Sequence, residues 1–173
     1  MSADEKDKIP LAQIKKLPYK TLNRMLKKMR EHLKNDDVMK KIFDEYKVDI
    51  SEIDYIPMMF DNLEVSASTN HGVITFNYKL LCDGDFTKDF SYGIHEITHW
   101  LQQTTGAKAT RSSDDGDYLK NPHEQEAFSQ QVAYIADNHG ENEAETYVDD
   151  LLDHHDKSGK EADKLKDKLM EEV

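Results

Sequence analysis

Hydrophobic residues recur at helical spacing through the first part of the chain. After a charged lead over residues 1–9, which we expect to be disordered, two successive stripes each predict an amphipathic helix. Asp36 and Asp37 mark the boundary between these two helices. The stripes consist of Leu22, Met25, Leu26, Met29 and Leu33, and then of Val38, Met39, Ile42, Phe43 and Tyr46.

Between residues 53 and 81 the period of the hydrophobic positions changes from 3.6 to 2, which is typical of β-strands. The pattern predicts three short strands, near residues 56–60, 65–69 and 74–78. Asn70-His71-Gly72 lies between the second and third strands and has the composition of a turn, which accounts for His71. We therefore expect a small antiparallel sheet.

Helical spacing returns after the sheet. One helix has an apolar stripe from Phe90 to Leu101. The next begins at Asn121-Pro122, because asparagine is favoured at the N-cap and proline at the first helical position, and it ends at His139-Gly140. A third has a stripe from Ala144 to His155. Residues 158–173 alternate lysine with acidic residues and predict only a marginal, exposed helix.

The fold class that follows is α+β. We expect a mostly helical single domain over residues 10–157, with the small antiparallel sheet ahead of the helix that starts at Phe90. A chain of 173 residues is long enough to form one domain with its own core.

The pentapeptide His95-Glu96-Ile97-Thr98-His99 lies in the helix that starts at Phe90. Its spacing places two imidazoles one helical turn apart, with a carboxylate beside the first. The apolar stripe of this helix lies roughly 150° from the mean direction of the two histidines, so the histidines can face a cleft while the stripe is buried. Two histidines supply two of the three protein ligands of a catalytic zinc ion, and Glu96 can take a proton from water. The alternative is two ordinary helix histidines.

The third ligand is expected from the helix that begins at Asn121, where Glu124 and Glu126 compete for the position. Glu124 falls at the third helical position, where a glutamate can reach back to the N–H of the cap. Glu126 points roughly 150° away from the apolar stripe of its own helix, as the two histidines do on theirs. We therefore predict Glu126 as the ligand, with Glu124 second and His123 third.

These motifs resemble the gluzincin clan of zinc metallopeptidases over about residues 73–136. The resemblance implies a zincin-like fold, one zinc ion bound by His95, His99 and Glu126, and Glu96 as the general base. It also implies that Tyr118 stabilises the oxyanion. Where thermolysin-like members have an aspartate that orients a ligand histidine, this chain has Gln130, which can orient but carries no charge.

The resemblance further implies that the edge strand of the sheet lies beside the metal and pairs with an extended substrate backbone. In this sequence that strand is Val73, Ile74, Thr75, Phe76 and Asn77.

Charge and composition narrow the choice of partner and compartment. The net charge of −12 opposes nucleic-acid binding and favours a basic peptide or protein, although solubility alone also explains it. No apolar run is long enough to span a membrane, and the N-terminus lacks the hydrophobic core of a signal peptide. A single cysteine, Cys82, fits a reducing compartment, so we expect a cytoplasmic protein. The acidic segment 112–117 is expected to be a solvated loop.

Three functions are compatible with the motif at first. The favoured one is a zinc endopeptidase, a hydrolase in which Glu96 deprotonates the attacking water. The second is a binding or regulatory module that keeps the zinc site without general proteolytic activity. A carboxylate-bridged di-iron protein would need a second E-x-x-H motif, which the sequence lacks.

Overall fold

The computed structural model describes residues 9–84, 86–106 and 118–173. Seven α-helices and three β-strands alternate with short 3₁₀ turns in these ranges. In chain order they are α1 Leu11–Ile14, α2 Tyr19–Lys34, α3 Asp37–Glu45, β1 Met58–Asp61, β2 Ala67–Asn70, β3 Val73–Asn77, α4 Phe90–Thr105, α5 Pro122–His139, α6 Glu141–His154 and α7 Gly159–Leu169. The expected α+β class, mostly helical with one small sheet, is confirmed.

The N-terminal helices bury the predicted stripes, among them Leu26, Met29 and Leu33 of α2. Asp36 caps α3 by accepting a hydrogen bond from the Met39 amide at 3.0 Å, which satisfies one of the free N–H groups of the first turn. Gly93 lets α4 approach α2 closely, because a Cβ atom there would lie only 3.0 Å from Met29 Sδ. The helix that carries the H-E-x-x-H motif is thereby packed firmly into the core.

The sheet is mixed, and its strand order is β1-β3-β2. β2 and β3 form an antiparallel hairpin whose turn residues, His71 and Gly72, have φ angles of 51° and 78°, as a two-residue primed turn requires. β1 pairs with β3 in parallel. The prediction of a wholly antiparallel sheet is therefore wrong, because the hairpin inserts its second strand between β1 and β2.

The C-terminal segment is packed, which the sequence did not predict. Leu165 and Leu169 of α7 are buried in the main core, and the helix lies against α5 and α6. Lys166 also contacts α6 through Glu145 at 2.9 Å and Asp149 at 2.8 Å. The expected helix is present, but two of its leucines, one turn apart, are buried because the neighbouring helices provide an apolar surface.

Residues 1–8 of the lead and the acidic segment 112–117 lie outside the described residues. Ile9, the last residue of the expected lead, donates its amide to Cys82 O at 2.6 Å. Cys82 itself is a half-buried free cysteine that packs against the core. None of the described helices has both the length and the hydropathy needed to cross a bilayer.

Candidate metal centre

α4 presents the two histidines of the motif on one face, as the spacing predicts. The Nε2 atoms of His95 and His99 are 3.2 Å apart, and the two rings meet edge to face. Both residues lie on successive turns of a helix whose other faces are buried.

The carboxylate that joins these histidines belongs to Glu124. Its Oε1 lies 2.9 Å from His99 Nε2, and its Oε2 lies 3.3 Å from His95 Nε2. Asn121 sets this position, because its side chain accepts hydrogen bonds from the amides of His123 at 2.9 Å and Glu124 at 3.4 Å and so starts α5 beside α4. Among the described residues, His95, His99 and Glu124 form a group able to hold a metal ion.

Glu126, the predicted third ligand, does not join this group, in which Glu124 lies beside the two histidines instead. Its carboxylate accepts a short hydrogen bond from the Tyr46 hydroxyl of α3 and lies 3.5 Å from Gln102 Nε2. α5 is buried on several sides from Ala127 to Ile135, so its most apolar stripe does not mark a single core-facing side and does not show what Glu126 faces. His123 is also outside the group.

Gln102 orients His99, one turn further along α4. Gln102 Nε2 donates to the main-chain oxygen of His123 at 3.1 Å, which leaves Gln102 Oε1 to accept from His99 Nδ1 at 2.8 Å. His99 Nδ1 therefore carries the proton, and the lone pair of Nε2 points toward Glu124. Gln130, the residue predicted for this task, is instead buried and lines a different pocket together with Glu126.

The electrostatics of the group favour a positive charge there, carried by a proton or by a metal ion. Burial lowers the pKa of His99, but Glu124, Glu96 and Gln102 together outweigh burial and raise it. Burial raises the pKa of Glu124, but the contacts with both histidines outweigh burial and hold it far below the usual range. Two nitrogen lone pairs and a carboxylate that converge in a buried place repel one another unless a proton or a metal ion lies between them.

The distances within the group can be compared with those between the ligands of a tetrahedral metal ion. Ligand atoms about 2.0–2.1 Å from a tetrahedral zinc ion lie roughly 3.3 Å from one another. The two Nε2 atoms are 3.2 Å apart, and each lies close to a different oxygen of the Glu124 carboxylate, His95 Nε2 at 3.3 Å from Oε2 and His99 Nε2 at 2.9 Å from Oε1. Two imidazoles and one carboxylate are also donors that a divalent zinc ion accepts.

Glu96 is buried next to the group but is not part of it. Its Oε2 accepts a hydrogen bond from Thr69 Oγ1 of β2 at 2.5 Å. The same hydroxyl lies 3.0 Å from the main-chain oxygen of Glu96. The carboxylate of Glu96 is thus held by the sheet, whereas that of Glu124 is placed by the start of α5.

A cleft of about 680 Å³ opens beside His95 and Glu96. Its walls come from the approach to β2 and from α4, α5 and α6, and they include several aromatic side chains. The lining residues are Val65, Ser66, Ala67, Tyr92, His95, Glu96, Tyr118, Phe128, Tyr147, Asp150, Leu151, His154 and His155.

Tyr118, the residue predicted to stabilise the oxyanion, lies on the wall of this cleft. Burial, together with the charges of Glu124 and Glu96 and a hydrogen bond with Glu124, raises the pKa of its phenol. The phenol therefore stays protonated at neutral pH and can donate a hydrogen bond. Its ring packs edge to face on Phe128 and is stacked on His155, with ring centroids 5.4 Å apart in the stack.

His154 and His155 are cleft residues that the sequence did not identify. They fall at the end of α6, where a favourable interaction with the helix dipole explains a histidine without any function. His139, by contrast, ends α5 as predicted and packs on Tyr134. It lies about 22 Å along the helix from Glu124, from the usual rise per residue.

The predicted substrate strand is not at the edge of the sheet. β3 is the central strand and is paired on both sides, so Val73, Ile74, Thr75, Phe76 and Asn77 cannot add a further strand. Among the described strands, β2 is the edge strand beside α4, and Ala67 of β2 lines the cleft.

No protein-family model, curated protein or solved structure matches this chain. The chemistry of the site is therefore inferred from its own residues.

Proposed function

We propose that this chain is a zinc-dependent endopeptidase that binds one zinc ion through His95, His99 and Glu124. The observation that carries the proposal is the convergence of two imidazole nitrogens, 3.2 Å apart, with a carboxylate whose two oxygens lie 2.9 and 3.3 Å from them. A separate buried carboxylate, Glu96, lies on the wall of the adjoining cleft. A ligand group of three protein donors beside an open cleft is typical of catalytic zinc sites and not of closed structural ones.

When bound, zinc would polarise the scissile carbonyl and make a water molecule acidic enough to be deprotonated at neutral pH. Glu96 accepts the proton from the attacking water and passes it to the nitrogen of the leaving amine. Tyr118 donates its phenolic proton as a hydrogen bond to the oxyanion that develops on the carbonyl oxygen. Gln102 keeps the Nε2 lone pair of His99 directed at the ligand group.

We further propose that the chain is related to the gluzincins and has a zincin-like fold. The H-E-x-x-H helix and a glutamate near the start of the next helix support this relationship. The edge strand β2 takes the place of β3 as the strand that pairs with substrate backbone. A basic peptide is favoured by the net charge of −12 and by Asp150 in the cleft wall. A cytoplasmic location is favoured by the single cysteine.

A second candidate is a zinc-containing binding or regulatory module. It is favoured by the outer partner of His99, because Gln102 carries no charge and so activates the ligand less than a carboxylate would. Zinc binding is common to both candidates, and only turnover separates them.

Glu96→Gln tests the proposal, because glutamine keeps the size of the side chain but cannot accept the proton. Zinc content should remain at one per chain, and hydrolysis of a broad peptide library should fall at least about a hundredfold. Tyr118→Phe should lower kcat by about tenfold with zinc retained, since it deletes one hydrogen bond to the oxyanion.

Glu52→Gln is the matched control, because Glu52 is exposed and lies on the 3₁₀ turn Ile50–Tyr55, away from the cleft. It should leave both zinc content and hydrolysis unchanged. If the wild-type protein binds zinc stoichiometrically but cleaves no peptide in the library, the peptidase proposal fails and the binding module replaces it.

A further inference from the structure

We infer that Thr69 is a positioning residue for Glu96, and that its hydroxyl holds the carboxylate in the cleft and away from the three metal ligands. This inference rests on the proposed function of the site. Thr69 lies on β2, 27 residues before Glu96 in the chain. Its hydroxyl connects the edge of the sheet to the motif helix at the residue assigned as general base.

The geometry makes this hydrogen bond specific. Thr69 Oγ1 lies 2.5 Å from Glu96 Oε2 and 3.0 Å from Glu96 O. A hydroxyl has one proton, and the ionised carboxylate is the stronger of the two acceptors. Since the side chains of Thr69 and Glu96 are both buried, the bond is shielded from competing water.

The strand that carries Thr69 is itself held in place. Thr69 is paired with the fully buried Ile74 in the β2–β3 ladder. Its main-chain oxygen accepts a hydrogen bond from Gln103 Nε2 of α4 at 3.0 Å. Thr69 is the one residue of β2 that is buried, whereas its neighbours in the strand are partly or fully exposed. The hydroxyl is therefore presented to α4 by a fixed backbone.

A glutamate at this position needs such support. Glu96 is adjacent to the ligand His95, and its side chain has three rotatable bonds, so a carboxylate without an anchor can swing toward the metal and become a fourth ligand. A carboxylate that ligates the metal cannot act as a base for the attacking water. A displacement of about 1 Å in a reacting group can cost on the order of a hundredfold in rate.

Thr69→Val tests the inference, because valine keeps the shape of threonine and removes only the hydroxyl. With a peptide that the wild-type protein cleaves, kcat should fall between about tenfold and a hundredfold, while KM stays within about twofold. Zinc content should remain at one per chain. Thr69→Ser, which restores the hydroxyl, should return kcat to within about threefold of the wild type.

A merely structural hydroxyl would give a different result. Thr104→Val is the matched control, because it removes a hydroxyl that bonds only to a main-chain oxygen of α4, at 2.8 Å. It should leave kcat unchanged. In the Glu96→Gln background, Thr69→Val should lower the residual rate no further, since the carboxylate it positions is already gone.

A crystal structure of the Thr69→Val protein, prepared without metal, provides a readout independent of activity. The Glu96 carboxylate should occupy more than one rotamer there and a single rotamer in the wild type. A single unchanged rotamer, an unchanged kcat, or a loss that serine does not rescue would each overturn the inference. If the wild-type protein cleaves no peptide, the proposed function fails, and the rotamer comparison still decides whether Thr69 fixes Glu96.

Discussion

Glu124 and Glu126 stand two residues apart on the first turns of α5 and belong to different surroundings. Glu124 faces α4 and meets the two histidines, whereas Glu126 faces α3 and meets Tyr46. Residues two positions apart on a helix differ in direction by about 200°, so Glu124 and Glu126 cannot both reach the same site. The elements packed against α5, and not the hydrophobic pattern of α5 itself, therefore decide which of the two carboxylates lies beside the histidines.

The two regions are connected through Gln102. Its amide group lies between His99 on one side and Glu126 on the other, at 2.8 and 3.5 Å. Glu126 therefore lies beside the amide that accepts from His99, but it is not part of the His95, His99 and Glu124 group. Burial, followed by the hydrogen bond and charge of Glu126, raises the pKa of the Tyr46 phenol, so Tyr46 remains a donor.

The largest effect is expected from the histidines. His95→Ala or His99→Ala should abolish stoichiometric zinc binding, because each removes one of the three proposed protein ligands. Circular dichroism should show that the zinc-free proteins keep their helical content, since the opposite face of α4 is packed in the core. His139→Ala is the control at the far end of α5 and should bind zinc normally. Full zinc retention in both alanine variants would remove the metal centre from this account.

Glu124→Gln and Glu126→Gln together test which of the two glutamates binds zinc. Glu124→Gln replaces a charged ligand by a neutral amide and should weaken zinc binding at least about a hundredfold. Glu126→Gln keeps an acceptor for Tyr46 and should change zinc affinity by less than about fivefold, below the usual effect of losing an outer hydrogen-bond partner. Isothermal titration with zinc alone measures both. The reverse ranking would restore Glu126 as the ligand.

Gln102→Leu should have an intermediate effect. It removes the acceptor that fixes the proton on His99 Nδ1, and zinc affinity should fall by about 10–100-fold. Gln130→Leu is the informative counterpart, because Gln130 holds the position that the sequence suggested for this task. Its substitution should leave zinc affinity unchanged. Equal losses in the two variants would mean that Gln102 has no special part in orienting His99.

The smallest effect is expected on the other side of α5. Tyr46→Phe leaves the carboxylate of Glu126 without the phenolic donor and should lower the free energy of unfolding by about 1–2 kcal/mol. Zinc affinity should stay within about twofold, because Tyr46 contacts no ligand. Chemical denaturation and zinc titration check the two statements separately. A strong loss of zinc binding would contradict the separation of the two regions.

The local periodicity of hydrophobic residues was sufficient to predict much of the fold. The stripes of α2 and α3, the Asn121-Pro122 start of α5 and the turn at His71 and Gly72 were all read from short windows of sequence. The i, i+4 spacing likewise placed His95 and His99 together. These features depend only on residues within one or two turns of each other.

Features that depend on distant contacts could not be read in this way. The parallel pairing of β1 with β3 and the burial of α7 depend on which surfaces meet, and so does the choice between Glu124 and Glu126. Gln102 could have been found, since residues three apart on a helix are neighbours. Thr69 could not, because nothing in its local sequence relates it to Glu96.

A crystal structure of the zinc-loaded protein, with anomalous diffraction recorded at the zinc edge, would show directly which residues bind the metal. The account predicts a single zinc ion about 2.0–2.2 Å from His95 Nε2, His99 Nε2 and one carboxylate oxygen of Glu124. It also predicts that Glu96 stays hydrogen-bonded to Thr69 and that Glu126 stays hydrogen-bonded to Tyr46. An anomalous peak elsewhere, or a zinc ion coordinated by Glu126 in place of Glu124, would contradict the account.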